Sequence, residues 1–357
     1  MGQKHFFRPH LFHLFPLALY IYIQVINHGR RRPQIQFNAH LVWFECETAG
    51  EGTGGMAILI AAAFVLCFHG CFSCSLPDGH RGSPGSPFLA GQGENSPTTA
   101  SVDDYGARGD GRDDSEAFGK AWRVACSSKG AVLLVPANRV YLLKPITFAG
   151  PCVSETTMEI YGTIKASPNQ SDYSGDGRYW VVFDNVQNLA VRGSGTVDGN
   201  GQIWWRQSCK TNPSLPCKEA PTSVTFNGSQ NLRVEGLKIM NAQQMHVRFQ
   251  RCANVVAGNL AVTAPGNSPN TDGIHVTDSR NVQIKSSVIK TGDDCISIVS
   301  GSKNVRATDI TCGPGHGISI GSLGKGYSEA RVFNVEVNGA RLIGTSNGAR
   351  IKTWVVK

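Results

Sequence analysis

The chain has 357 residues, of which 17% are charged and 41 are glycine, and carries a formal net charge of +8. Long charged helices are excluded as the dominant element, because abundant Gly, Asn, Ser, Thr and Val are the residues of turns and strands. A basic chain suits a polyanion; no arginine-rich run follows residue 32 and no aromatic-basic platform occurs, which sets nucleic acid aside.

Two apolar stretches come first. Residues 11–26 (LFHLFPLALYIYIQVI) are interrupted by His13 and Pro16 and followed by Arg30, Arg31 and Arg32. Residues 56–68 (MAILIAAAFVLCF) form an uninterrupted apolar run of signal-core length, too short to cross a bilayer, and begin with Met56. The reading is upstream or misannotated sequence over 1–55, a signal peptide over 56–74, and no stable membrane association. Residues 75–100, rich in Gly, Pro and Ser, read as a linker. A folded domain is expected over 101–357. It opens with a helical pattern over 113–126 that puts Phe118, Trp122 and Ala125 on one face behind a cluster of carboxylates, as a capping helix requires.

Of eleven cysteines, four precede residue 75, leaving Cys126, Cys152, Cys209, Cys217, Cys252, Cys295 and Cys312 in the domain. An odd number leaves at least one without an internal partner. Cys209 with Cys217, and Cys295 with Cys312, would each close a short loop; Cys126 and Cys152 are further disulfide candidates. Sequons at Asn169 and Asn227 permit glycosylation in a secreted chain.

From residue 184 onward one phrase recurs: an Asn followed by a short alternating apolar run, at Asn188, Asn231, Asn254, Asn281, Asn304 and Asn334. The last five are spaced by 23, 27, 23 and 30 residues, a period that marks a solenoid. The units are β-branched, alternate with period two and lack helical periodicity, so each coil holds short strands that stack on those of the next. The fold class is therefore all-β, a parallel β-helix. Asn at the turns fits its tolerance of left-handed backbone.

The period converts a list of polar residues into a geometry. Asp272 (in NTDGIHV), Asp294 (in GDDCISI) and His316 (in GPGHGISIGS) follow one another at intervals of 22 residues, each ahead of a similar strand. Arg350 and Lys352 (in RIKTW) lie one longer coil on. Asp272, Asp294, His316 and Arg350 are expected to stack in one column, with Asp293 and Lys352 beside it. Clustered carboxylates cannot all ionise freely, so at least one pKa should rise. A protonated carboxyl beside an ionised one is what glycoside hydrolysis needs, and Arg350 with Lys352 would hold a substrate carboxylate. His246 and His275 are read as structural.

These four motifs, with DYGARGDG at 104–111 and GTVDGNG at 195–201, resemble the signatures of the polygalacturonases, glycoside hydrolase family 28, over about residues 101–357. The resemblance implies a right-handed single-stranded β-helix and inverting hydrolysis of the α-1,4 bonds of homogalacturonan (pectin) by a plant-type, endo-acting, secreted and monomeric enzyme of the cell wall. It implies Asp293 as general acid, Asp272 with Asp294 activating water, and His316 supporting the acid. Arg350 and Lys352 would bind the galacturonate carboxylate, with Asn270 a further substrate contact. Cys295 and Cys312 match a family disulfide, and no metal or organic cofactor is implied. Family members run on for several coils beyond the position of Trp354, and those coils usually supply a tyrosine near the cleavage point. The chain is therefore expected to be a C-terminally truncated solenoid, poorly soluble and weakly active by itself. A calcium-dependent pectate lyase and a catalytically silent pectin-binding β-helix are the competing readings.

Overall fold

The computed structural model describes residues 98–173, 177–325 and 328–354, together with the backbones of the strands Leu19–Ile26, Gln34–His40 and Glu45–Glu47. The expected signal peptide over 56–74 lies outside the described residues. Among the described residues no helix is long and apolar enough to cross a membrane.

The chain winds as a right-handed parallel β-helix, as its period requires. One wall is an eight-stranded parallel sheet of β1 (Ile146–Ala149), β2 (Tyr179–Asp184), β3 (Thr222–Asn227), β4 (Val247–Gln250), β5 (Ile274–Thr277), β6 (Ile296–Ile298), β7 (Ile318–Leu323) and β8 (Ala349–Thr353). Each pairs with the strand one coil before and after it. The other walls are built from strands such as Ala253–Gly258, Arg280–Lys290, Lys303–Cys312 and Ala330–Asn338, also stacked in parallel. Leu19–Ile26 pairs antiparallel with Gln34–His40 and with Ala330–Asn338, giving the backbone groups along that edge a partner.

Alternation decides what faces inward. Phe148, Phe183, Phe226 and Phe249 occupy successive rungs of β1 to β4 and are all buried. Their rings stack with centroids 5.1, 4.9 and 5.5 Å apart, within the range of favourable aromatic pairs. Val276, Ile298 and Ile320 continue the same column through β5 to β7. The predicted cap is α1 (Ser115–Cys126), which buries Phe118, Trp122 and Ala125 over the first coils. Trp122 meets Phe148 at 5.2 Å and donates its indole N–H to the Ala149 carbonyl at 3.0 Å.

The recurrent asparagines form a ladder. Asn188, Asn231, Asn254, Asn281, Asn304 and Asn334 all have φ between 52 and 56°. Each side-chain amide donates to the carbonyl of the preceding Asn at 2.8 to 3.0 Å. The turn residue thus supplies left-handed backbone and a coil-to-coil bond together. Asn227, of the second sequon, donates to Asp184 at 2.6 Å and accepts from Arg251 at 2.7 Å.

All three candidate disulfides are present: Cys126–Cys152, Cys209–Cys217 and Cys295–Cys312. Among the seven cysteines after residue 98, Cys252 is the free thiol, buried, with burial pushing it up to about 11, so it is inert as a nucleophile. Phe226 has a ring on either side, so Phe226→Ala should open a cavity in the middle of the stack and cost about 3–5 kcal/mol. A denaturant titration checks this; a loss under about 1 kcal/mol would contradict the stacking account.

Candidate active site

The outward face of the eight-stranded wall carries the charges. Ile274, Ile296 and Ile318 are register partners on β5, β6 and β7. Two residues ahead of each stand Asp272, Asp294 and His316, so these three align as the spacing predicts. Arg350 does not join them. The residue two before Ala349, the partner of Ile318, is Asn347, and Arg350 is instead the partner of Ser319 in the next column. The longer coil between β7 and β8 shifts the phase, and the arginine reaches back through its long side chain. Gly317, with φ 85°, makes the close turn into β7 possible: a Cβ there would lie 2.2 Å from the Gly348 carbonyl oxygen.

Asp294 is the centre of the cluster, with 1% of its side chain exposed. Its Oδ1 accepts from Ser319 Oγ at 2.7 Å and from Arg350 Nη2 at 2.5 Å, and its Oδ2 from Lys352 Nζ at 2.6 Å. Arg350 Nε also donates to Ser319 Oγ at 2.8 Å. A carboxylate with two cations and a hydroxyl is fixed in its orientation.

Asp293 is bound differently. Its Oδ1 accepts from the Asp294 amide at 2.9 Å and lies 3.0 Å from His316 Nδ1, which must be the donor to a carboxylate. Its Oδ2 is 3.4 Å from Lys210 Nζ. Burial pushes the Asp293 carboxyl upward, but the His316 hydrogen bond, the Lys210 charge and the Asp294 amide outweigh it and leave the group below the ordinary range.

Asp272 lies on the other side of this balance. Burial, followed by the charges of Asp293 and Asp294, raises it well above the ordinary carboxylate value, although Ser297 Oγ donates to Oδ2 at 2.7 Å. The Ser297 hydroxyl has one proton; given to Asp272, it must accept from His275 Nδ1, 2.7 Å away. His275, half-buried and 3.9 Å from Asp272, is pushed down to about 3 by burial and then by the Arg248 charge. It is neutral in the free cleft.

Six expected site residues thus meet: Asp272, Asp293, Asp294, His316, Arg350 and Lys352. Asn270 stands two residues before Asp272 with φ 58°, half-buried and without a side-chain hydrogen bond among the described residues. His246 is structural as read, its ring nitrogens 2.9 and 3.2 Å from the Asp272 and Thr263 carbonyls. His275 stands beside Ser297 and Asp272, an outward place between Ile274 and Val276 that was visible in the alternation. Ser297 and Ser319 follow the same parity. Lys210 left no signal, since the loop closed by Cys209–Cys217 brings it 83 residues along the sequence to Asp293. Donor atoms of Asp293, Asp294 and His316 lie within 4.8 Å of one another. Lys210, Arg350 and Lys352 already neutralise these carboxylates, so a calcium ion would have to displace three cations.

Residues 126–357 match the family model described as glycosyl hydrolases family 28. The chain belongs to this family. It is 63% identical to a polygalacturonase of Malus domestica over 257 residues, which are 72% of this chain and 56% of that protein. Polygalacturonase-2 of Solanum lycopersicum is 59% identical over 252 residues, 70% of this chain and 55% of the relative. The chain therefore spans a little over half the length of these two plant relatives. Among solved structures, an endo-xylogalacturonan hydrolase from Aspergillus tubingensis superposes with TM-score 0.63 at 27% identity, covering 73% of this chain and 69% of its own. The polygalacturonase from Erwinia carotovora ssp. carotovora gives the same score at 24% identity, covering 74% of each chain, which places the fold alone. Family membership and the cleft coincide: the matched segment contains every carboxylate described above.

Burial pushes His246 down to about 4 against the pull of its two carbonyls. The unfolded chain therefore binds more protons than the folded one between about pH 4 and 6.5, and stability must fall as pH drops through that window. His246→Phe should be less stable at neutral pH by about 1–3 kcal/mol, for stranded carbonyls. It should nevertheless lose less stability than the wild type between pH 6.5 and 4. Melting curves at both pH values check this; parallel losses would remove His246 as a source of acid lability.

Proposed function

We propose that the chain hydrolyses α-1,4-galacturonosidic bonds of homogalacturonan by internal attack with inversion, as a secreted enzyme of the cell wall. The observation that carries this is the set of three carboxylates, in two electrostatic states, bordered by Arg350 and Lys352 at one end of the cleft. Three disulfides fit an oxidising compartment.

In this reading Asp293 gives its proton to the leaving glycosidic oxygen as the bond to the anomeric carbon breaks. Asp272 takes a proton from the water that attacks the opposite face. The new bond forms from water oxygen, and solvent exchange returns the proton to Asp293. Asp294 is the anchor that holds Arg350 and Lys352, whose remaining N–H donors face a substrate carboxylate. Asp293 and Asp294 lie within 4.8 Å, closer than the roughly 6.5–9.5 Å of an inverting pair. That leaves Asp272 as the partner of Asp293, with Asn270 beside it as a substrate contact.

The electrostatics of the free site run against a protonated Asp293. The free cleft places its proton on Asp272; the productive form places it on Asp293, with the same total number bound. The two are proton tautomers of one coupled pair. A galacturonate carboxylate arriving beside Asp293 competes for Lys210 and adds a negative charge, and both effects raise the proton affinity of Asp293.

Asp293→Asn should lower kcat on polygalacturonate by about 10²–10⁴-fold without loss of folding. Nuclear magnetic resonance of the first products should show the β anomer released from α linkages, and chromatography should show oligomers. Retained activity in the variant would remove Asp293 as the acid. An unsaturated, ultraviolet-absorbing product would replace hydrolysis by elimination.

A further inference from the structure

Column by column along the wall, one cation has no hydrogen-bond or ion-pair partner among the described residues. Arg248, on β4, is the register partner of His275 on β5, and the same outward column continues through Ser297 and Ser319 to Arg350. Its neighbours Val247 and Phe249 are fully buried, so by alternation the arginine points outward into the cleft. Arg350, at the far end, is held by Asp294 and Ser319 through Nη2 and Nε. Arg248 differs: its Nε is buried without a hydrogen-bond partner, and no carboxylate pairs with it among the described residues. On the preceding rung, its register partner Thr225 is 1% exposed and also has a buried, unpartnered Oγ1. Two adjacent rungs of one column thus hold a guanidinium nitrogen and a hydroxyl oxygen, both buried and neither satisfied by protein, while Arg248 as a whole is part-exposed.

We propose that Arg248 and Thr225 form an anion-binding subsite for the carboxylate of a galacturonate unit on the N-terminal side of the catalytic carboxylates, resting on the galacturonan reading above. The chemistry of the two groups defines the ligand. A guanidinium offers a planar fork of donors that matches a carboxylate, and the hydroxyl supplies a further donor or accepts from a sugar hydroxyl. The neutral His275 next to Arg248 offers no competing negative charge. Four rungs separate Arg248 from Arg350, about 19 Å along the helix axis. The two arginines therefore stand at opposite ends of the cleft with Asp272, Asp293 and Asp294 between them. A polyanionic chain lying along the wall would be gripped on both sides of the bond to be cut. Specificity follows: an unesterified unit at this subsite is preferred to a methyl-esterified one, whose neutral ester cannot pair with a guanidinium.

The test uses the full chain in an Asp293→Asn background, so that ligand is not consumed, with calorimetry on oligogalacturonates long enough to span the cleft. Adding R248Q should weaken binding by about tenfold or more, as for loss of a charged hydrogen-bonded contact. R248K, which keeps the charge, should recover most of the affinity. On fully methyl-esterified oligomers of the same length, the difference between Arg248 and R248Q should vanish. Melting temperatures show whether each variant is folded; R248K, read against its Arg248 parent, carries the test if R248Q is not. Unchanged affinity in a folded R248Q, equal losses on charged and esterified oligomers, or failure of R248K to exceed R248Q would overturn the subsite. If wild type cleaves polygalacturonate while R248Q binds normally, only the subsite fails. If wild type neither cleaves nor binds, the galacturonan reading fails and takes the subsite with it.

Discussion

In a parallel β-helix the strands of one wall are locked rung to rung by backbone hydrogen bonds, so the number of residues in each coil decides which side chains become neighbours. The ladders from β5 to β6 and from β6 to β7 bring together positions 22 residues apart with no contribution from the side chains themselves. Asp272, Asp294 and His316 meet because two successive coils have the same length. Everything electrostatic in the cleft depends on that equality. One residue more or less would turn every side chain of the strand to the other face of the wall.

The inward face makes this rigid. A column of four phenylalanines followed by Val276, Ile298 and Ile320 fills the space behind the strands that carry the charges. The Asn ladder holds a turn of each coil on the other side of the solenoid. Cys295, immediately after Asp294, is tied to Cys312 on a neighbouring wall. Carboxylates brought this close repel one another, and only a backbone that cannot relax keeps them there. Burial and then this repulsion raise Asp272, whereas the His316 hydrogen bond and the Lys210 charge hold Asp293 low against its own burial, and Arg350 and Lys352 pair with Asp294.

The cations divide by function. Arg350 and Lys352 neutralise Asp294, and Lys210 with His316 holds Asp293 ionised. Among the described residues Arg248 pairs with no carboxylate, and its Nε is buried without a hydrogen-bond partner.

The sequence by itself determined the solenoid, because a β-helix writes its coil length into the chain as a period, and it determined the column of Asp272, Asp294 and His316 because their two coils are equal. The capping helix and the two short-loop disulfides were also legible, since each rests on contacts a few residues apart or on a strong amphipathic pattern. Three features were decided only by tertiary structure. The unequal coil before β8 moved Arg350 out of the column in which simple counting placed it, and side-chain reach alone restored its contact with Asp294. Lys210 reached Asp293 through a loop whose path no period encodes. The opposite directions of the Asp272 and Asp293 shifts depended on how deeply each carboxyl is buried and which charged group stands beside it, both set by packing in three dimensions and not by order along the chain.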